Sequence, residues 1–402
     1  MKSSFTMAIV LILLLPVTTG ARTWLIKDDG TGDAATIQAG IDSAAAADTV
    51  LLADGTYTGS GNRDINFNNK AITVRSQSGQ CHLCWIDCEG TAGDPHVAFT
   101  FNHGETSSSV LEGISITGAY GSSSGAVGVF GSSPTINSCC FTGNTAGIAG
   151  GALDMTSSAA QINNCLFLSN EGLSAGGAIY METSSPTISG CSFDSNTSPG
   201  NGGAVYCHTN SPTIEECVFS HNEGMIGGAV YLDNCDASLS YCEFWRNSSA
   251  MEGGALKCNL ASATLENCTF AADSSGTGGA VVVITAGGTP GFTNTLIAFS
   301  RRGPAIACEG EVGAGFACCN FYGNEGGDWV PCIAVHAGIN GNMSTDPLFC
   351  DLSSRDLNVE SCSPCLAGNN TCGVNVGRWG QGCGCGEAVE PTTWGAVKAM
   401  YR

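Results

Sequence analysis

The sequence predicts an all-β fold: a single-stranded parallel β-helix, a solenoid of roughly twelve coils, with a short N-terminal capping helix and a Cys-rich C-terminal cap. Three observations carry this. A pentapeptide returns about every 25 residues, as GGALD at Gly150, GGAIY at Gly176, GGAVY at Gly202 and Gly227, GGALK at Gly253 and GGAVV at Gly278. A second motif, C-x-F-x-x-N, keeps step with it, and its Phe141, Phe167, Phe193, Phe219, Phe244 and Phe270 are separated by 26, 26, 26, 25 and 26 residues. No stretch of this region has the i, i+3, i+4 apolar spacing of a helix, while PTI at Pro134, Pro186 and Pro212 reads as strand. One period is thus one coil, and equivalent residues stack ~4.8 Å apart.

Composition limits the alternatives. Of 402 residues 56 are Gly and 12% are charged, which argues against coiled coils and ordinary helical enzymes. The formal net charge of −21 supplies no basic face for phosphates, so nucleic acid is not an expected partner. The opening MKSSFTMAIVLILLLPVTTGA has the form of an export signal, with Lys2, an apolar stretch from Met7 to Leu15 and small residues from Thr19 to Ala21. Residues 1–21 are expected to be removed, with cleavage near residues 20–22. The mature chain is then a secreted, extracellular or outer-membrane-associated monomer without a transmembrane span. All 23 cysteines lie beyond that segment, which suits an oxidising compartment, and their odd number leaves at least one without a partner in the chain.

From the N-terminus, DGTGDAATIQAGIDSAAAADTVLLADGTY (Asp29 to Tyr57) puts Ile37, Ile41 and Ala45 on one face of a short helix, then a strand over Thr49 to Leu52. Such a helix is the expected cover for the open end of a solenoid. Residues 22–110 hold this cap and the first coils, running from Ile65 through AITVRS at Ala71 to Val110. The array follows over 111–330, with the clear repeats at 139–283. Alternation assigns its faces: Ile179, Val205, Val230 and Leu256 form one inward column, and Met181, Cys207, Leu232 and Cys258 another. The Phe and Cys of C-x-F also point inward. Asn144, Asn170, Asn196, Asn222 and Asn247 are expected in turns, where Asn accepts left-handed geometry.

Cys139, Cys165, Cys191, Cys217, Cys242 and Cys268 are expected as buried thiols. Stacked side chains keep Cβ atoms ~4.8 Å apart, beyond the ~3.8 Å of a disulfide. Bridges are expected instead at Cys81, Cys84 and Cys88, and from Cys332 to Cys385 in a cap over 331–386. CHLCWIDC with His82 has metal-ligand spacing, but no second cluster of matching form accompanies it. Residues 387–402 read as a terminal tail.

The paired GGA[ILV] and FxxN motifs from Phe141 to Val283 resemble the polymorphic outer-membrane protein repeats of bacterial autotransporter adhesins. The opening from Asp29 to Tyr57 resembles that of pectin-lyase-like secreted β-helix proteins, pectinesterases among them, and DPLF…SPC resembles the ending of secreted right-handed β-helix repeat proteins. The resemblance implies a right-handed β-helix and leaves activity open, since that scaffold carries lyases, esterases, hydrolases and non-catalytic adhesins. Nothing after Cys385 has the length of the membrane barrel that ends the autotransporter family. The polygalacturonase set of NTD, DD, GHG and RIK is not present, nor is the pectinesterase DFIFG, and there is no nucleophile elbow or HExxH.

The outward positions of the GGA strands carry the candidate site. One column reads Asp154, Tyr180, Tyr206, Tyr231, Lys257, Val282, and the next reads Thr156, Glu182, His208, Asp233, Asn259, Ile284. Stacked tyrosines beside carboxylates predict a glycan-binding strip of Tyr180, Tyr206, Tyr231, Glu182, Asp233 and Asp154. The leading expectation is a non-catalytic surface protein with a structural, adhesive or glycan-binding role. The alternative is a lyase on uronate-containing glycans, in which Lys257 or His208 abstracts a proton and Glu182 and Asp233 hold Ca²⁺. No other cofactor is expected.

Overall fold

The computed structural model describes residues 20–276, 281–285 and 287–386. The leader, the tail over 387–402 and the Gly-Gly-Ala of the sixth pentapeptide lie outside the described residues. The coils build four parallel sheets, and those of the middle of the array contribute to all four. The PTI strands form a twelve-stranded sheet from Thr23–Ile26 to Gly315–Ala317, matching the coil number expected from the period. The C-x-F strands form an eleven-stranded sheet from Gly55–Tyr57 to Asn320–Tyr322, and the GGA strands a ten-stranded one from Ile65–Asn66 to Ile306–Glu309. A narrow seven-stranded sheet bridges the last two. Among the described residues no helix is long and apolar enough to cross a membrane.

The coils turn on residues in the left-handed region, and these are not the asparagines of FxxN. The residue before each takes that backbone, as at Gly143, Ser169, Ser195, His221 and Arg246. The Asn side chain points inward, fully buried, and forms a ladder. Asn170 Nδ2 donates to Phe141 O at 2.9 Å and to Asn196 Oδ1 at 3.0 Å, and Asn196 and Asn222 repeat the pattern. An inward amide satisfies main-chain groups that a tight corner leaves unpaired, which outweighs its suitability for the turn itself.

The phenylalanine column is continuous. Rings from Phe141 to Phe270 stack at 5.1, 4.6, 4.7, 4.8 and 4.3 Å, all fully buried. Full burial of each ring contributes roughly 1.5–3 kcal/mol. Beside it the six stacked cysteines are buried thiols as expected, each directing Sγ at a carbonyl, for example Cys165 to Asn163 O at 3.3 Å. Cys84 and Cys88 are corrected: both are buried thiols, because Cys84, Ile86 and Cys88 share the inward parity of their strand. Cys81 bridges to Cys140 in the array, and Cys207 leaves the inward thiol set to bridge Cys235.

The helix Ile37–Ser43 covers the first coil, with Thr36 Oγ1 accepting from Ala39 N at 3.2 Å. Ile37 and Ile41 are buried, but the helix stops before Ala45, which is exposed; Ala44 is the buried residue there. Lys70 Nζ donates to the carbonyls of Ile41, Asp42 and Ala44 and neutralises the helix C-terminus. At the far end Trp329 stacks on Phe321 at 4.4 Å and Ile333 is buried beneath it.

Beyond Asp346 the Cys-rich segment doubles back along the outer surface of the C-x-F sheet as a strap, stapled by Cys318–Cys372, Cys350–Cys383 and Cys362–Cys385. Leu357 packs on Trp245 and Ala271, and Val359 and Val376 pack on Leu296 and Ala298. The buried carboxylate of Glu243 anchors the strap, accepting from Arg355 Nε at 2.6 Å and Trp379 Nε1 at 2.7 Å.

Candidate functional site

The glycine pair that opens each GGA strand sets the site's position. The first glycine has φ of 63–69° at Gly176, Gly202, Gly227 and Gly253, and a Cβ on the second would fall 2.0 Å from a carbonyl oxygen at Gly177 and 2.1 Å at Gly203. Only glycine fits both demands. The strands that follow pair in register, so Tyr180, Tyr206, Tyr231 and Lys257 are direct neighbours, as are Glu182, His208, Asp233 and Asn259.

The last coil corrects the two outward columns. Val283 and Thr285 pair with Lys257 and Asn259, whereas Val282 and Ile284 face inward and are fully buried. An apolar interior selects the register, and the sixth pentapeptide is therefore offset by one residue from the others.

The tyrosine rings lie face to face, at 5.3 Å between Tyr180 and Tyr206 and 5.4 Å between Tyr206 and Tyr231, within 11° and 10° of parallel. Their faces are spent on one another. The row therefore shows solvent mainly ring edges and hydroxyls, with Tyr206 covered on both faces. Burial raises all three phenol pKa values, that of Tyr231 to about 12, so these hydroxyls stay protonated.

Asp233 organises the next column. It accepts from Tyr206 Oη at 3.1 Å and from Asn259 Nδ2 at 2.7 Å, and lies 3.1 Å from His208 Nδ1. The chain continues as Thr285 Oγ1 donates to Asn259 Oδ1 at 3.0 Å. His208 is 40% exposed at its side chain, with Nε2 directed away from Asp233. Glu182, exposed, flanks it on the other side. Glu182 and Asp233 thus stand two strands apart with His208 between them, and both oxygens of Asp233 already have partners.

Lys257 is corrected as a candidate base. It is 4% exposed, and its Nζ donates to Glu252 Oε2 at 2.7 Å and Glu309 Oε2 at 2.8 Å. Losing its proton would forfeit both ion pairs. Glu309, 52 residues on, belongs to the site with no motif to mark it. At the opposite end Asp154 is 8% exposed between Gly128 and Tyr180 and, among the described residues, makes no hydrogen bond; burial, with a smaller contribution from Glu182, raises its pKa to about 7.

The family described as "Right handed beta helix region" matches residues 49–219 and 106–270, together more than half of the chain. The chain belongs to the right-handed β-helix family. No curated protein sequence matches it. Among solved structures it is similar to "Crystal structure of pectate lyase Pel9A", at 14% identity and a TM-score of 0.49, covering 84% of each chain. It is similar also to "Structure of PL6 family alginate lyase AlyGC", at 12% identity and a TM-score of 0.39, over 76% of this right-handed β-helix and 53% of that chain. A third likeness is to the "Azotobacter vinelandii Mannuronan C-5 epimerase AlgE6 A-module", at 10% identity and 0.31, over 77% and 93%. Each is a likeness of fold.

Proposed function

We propose that this right-handed β-helix protein engages a neutral polysaccharide along the outward GGA face and hydrolyses it, with His208 as general base taking a proton from the water that attacks the anomeric carbon as the glycosidic bond breaks. The His208–Asp233 pair carries the reading: a carboxylate at Nδ1 fixes one tautomer and leaves Nε2 facing solvent. Glu182 on the adjacent strand is the complementary acid that protonates the departing glycosidic oxygen, and Tyr206 and Asn259 flank the pair with hydroxyl-binding groups. Neutral rather than uronate substrates are favoured because Lys257 is committed to two glutamates and the chain carries a net charge of −21. Ca²⁺ bridging Glu182 and Asp233 to a polyuronate would reverse that preference. The leader and six disulfides support export, where such polymers occur.

The test is product release from glucan, xylan and mannan and from polygalacturonate and alginate, each with and without Ca²⁺. Reducing ends from a neutral polymer are expected, with His208→Ala lowering turnover about 10²-fold or more. Ultraviolet-absorbing unsaturated products from polyuronates alone would overturn the neutral assignment. Binding to a polymer without any product would overturn catalysis in favour of the adhesive role that the autotransporter-like repeats imply.

A further inference from the structure

The strap creates a second concave surface, at the corner between the PTI and C-x-F sheets and away from the GGA face. Its loop over 366–378 borders an open hollow of about 440 Å³, lined by Tyr241 and Glu266 of the solenoid and by Val374, Asn375 and Arg378 of the strap. Tyr241 has φ of 51°, at a corner where other coils place Ser138, Asn164, Gly190, Glu216, Asn267, Asn294 or Cys318 in the same left-handed backbone. A bulky aromatic is poorly suited to that conformation. It is also 47% exposed, and among the described residues no ring contacts it. Nothing in the packing explains a tyrosine there.

Unused hydrogen-bonding groups surround that ring. Asn267 is saturated: Nδ2 donates to Asn375 O at 3.0 Å and Gly377 O at 3.3 Å, and Oδ1 accepts from Asn294 Nδ2 at 3.3 Å. Among the described residues this leaves Asn294 Oδ1, Asn375 Nδ2, the Glu266 carboxylate and the Tyr241 hydroxyl without hydrogen-bond partners. Arg378 is held by the carbonyls of Cys217 and Glu216, at 2.7 and 3.2 Å, so one cation and one carboxylate balance across the pocket. The loop is also rigidly preset. Asn370 Nδ2 donates to the carbonyls of Pro364, Leu366 and Val374, and Cys318–Cys372 ties the loop to the last coil. A preset site loses less freedom on binding.

We infer that this pocket is a second carbohydrate-binding site, taking one or two neutral sugar units independently of the GGA face. A free aromatic face receives the C–H surface of a pyranose, and mixed donors and acceptors receive its hydroxyls, each of which both donates and accepts. Zero net charge in the lining, within a strongly acidic chain, excludes a polyanion.

The experiment is calorimetric titration of the full chain with cellohexaose, xylohexaose, mannohexaose and trigalacturonate. At least one neutral hexasaccharide is expected to bind, with Tyr241→Asn weakening that binding 10-fold or more. Asn is the residue that the next coil carries at this corner, as Asn267 in the same left-handed backbone, so the variant keeps the fold. His208→Ala is expected to leave this component unchanged, which separates it from any site on the GGA face. Absence of neutral-sugar binding at 10 mM, preference for trigalacturonate, or a Tyr241→Asn isotherm that superimposes on the parent overturns the inference.

Discussion

Asp273 occupies the position where the Asn ladder ends, and replacing it by Asn tests how that ladder stabilises the solenoid. The carboxyl is fully buried; one oxygen accepts from Asn247 N at 2.7 Å and Nδ2 at 3.0 Å, and the other has no partner. Burial raises its pKa from 3.8 to about 8. The native state therefore keeps a proton that the unfolded chain releases. Stability from this group is complete below about pH 4, falls by about 1.4 kcal/mol per pH unit above it, and levels off beyond about pH 8. In Asp273→Asn the acceptor is retained, and the new amide can donate to Phe244 O as Asn247 Nδ2 does to Phe219 O at 2.9 Å. The variant should then gain about 2–4 kcal/mol at pH 7, after relaxation of the buried site, and little at pH 4.

Denaturation in urea at half-unit steps from pH 4 to 9 measures this directly. The difference between the two proteins isolates residue 273, because every other titrating group is common to both. The gap is expected to open steadily between pH 4 and 8. Curves that run parallel across that range would refute a protonated Asp273 and with it the account of the ladder's end.

Two further outcomes follow from the interior columns. Phe193 is stacked between Phe167 and Phe219 at 4.6 and 4.7 Å with no exposure, so Phe193→Ala should cost ~3–5 kcal/mol in denaturant. Phe299, which turns out to sit half-buried on a left-handed corner while Ile297 takes the inward place, should lose clearly less; equal losses would count against a regular ring column. The eleven free cysteines are all buried, and burial pushes thiols such as Cys84 and Cys258 up to about 12. Maleimide should therefore label none within an hour under native conditions and eleven after unfolding without reductant. Rapid native labelling would contradict the sealed column.

What was legible in the sequence is whatever repeats at one coil's spacing. Tyr180, Tyr206 and Tyr231 are neighbours because 26 and 25 residues separate them, and the same arithmetic places His208 beside Asp233. Cys84 and Cys88 were legible too, since they alternate with Trp85 and Asp87, but local cysteine density drew attention away from parity. Contacts spanning more than one coil leave no such trace. Lys257 reaches Glu309 across two coils, on a strand that carries no repeat motif, and Arg378 reaches Cys217 O over 161 residues, from an irregular segment whose resting place no period sets. Ring orientation within a stack is likewise decided by packing, so the column of tyrosines alone did not show Tyr206 covered on both faces.

The contrast between inward and outward columns has a physical origin that bears on function. In-register stacking sets identical side chains about 4.8 Å apart. Phenylalanine and asparagine gain from this, through ring contact and amide ladders, so the inward columns are uniform. Like charges at that spacing repel, and the outward column accordingly never repeats one: His208 separates Glu182 from Asp233, and Asn259 follows. Alternation alone requires only that neighbours differ. It does not require an imidazole locked by a carboxylate with its second nitrogen left free, nor a partnerless acid such as Asp154 with a pKa near 7. Serine or threonine would separate the charges as well and, unlike a buried unpaired carboxyl, without a desolvation cost. The His208–Asp233 pair, which exceeds what stacking demands, is therefore the one to which the proposed function assigns the chemistry of this face.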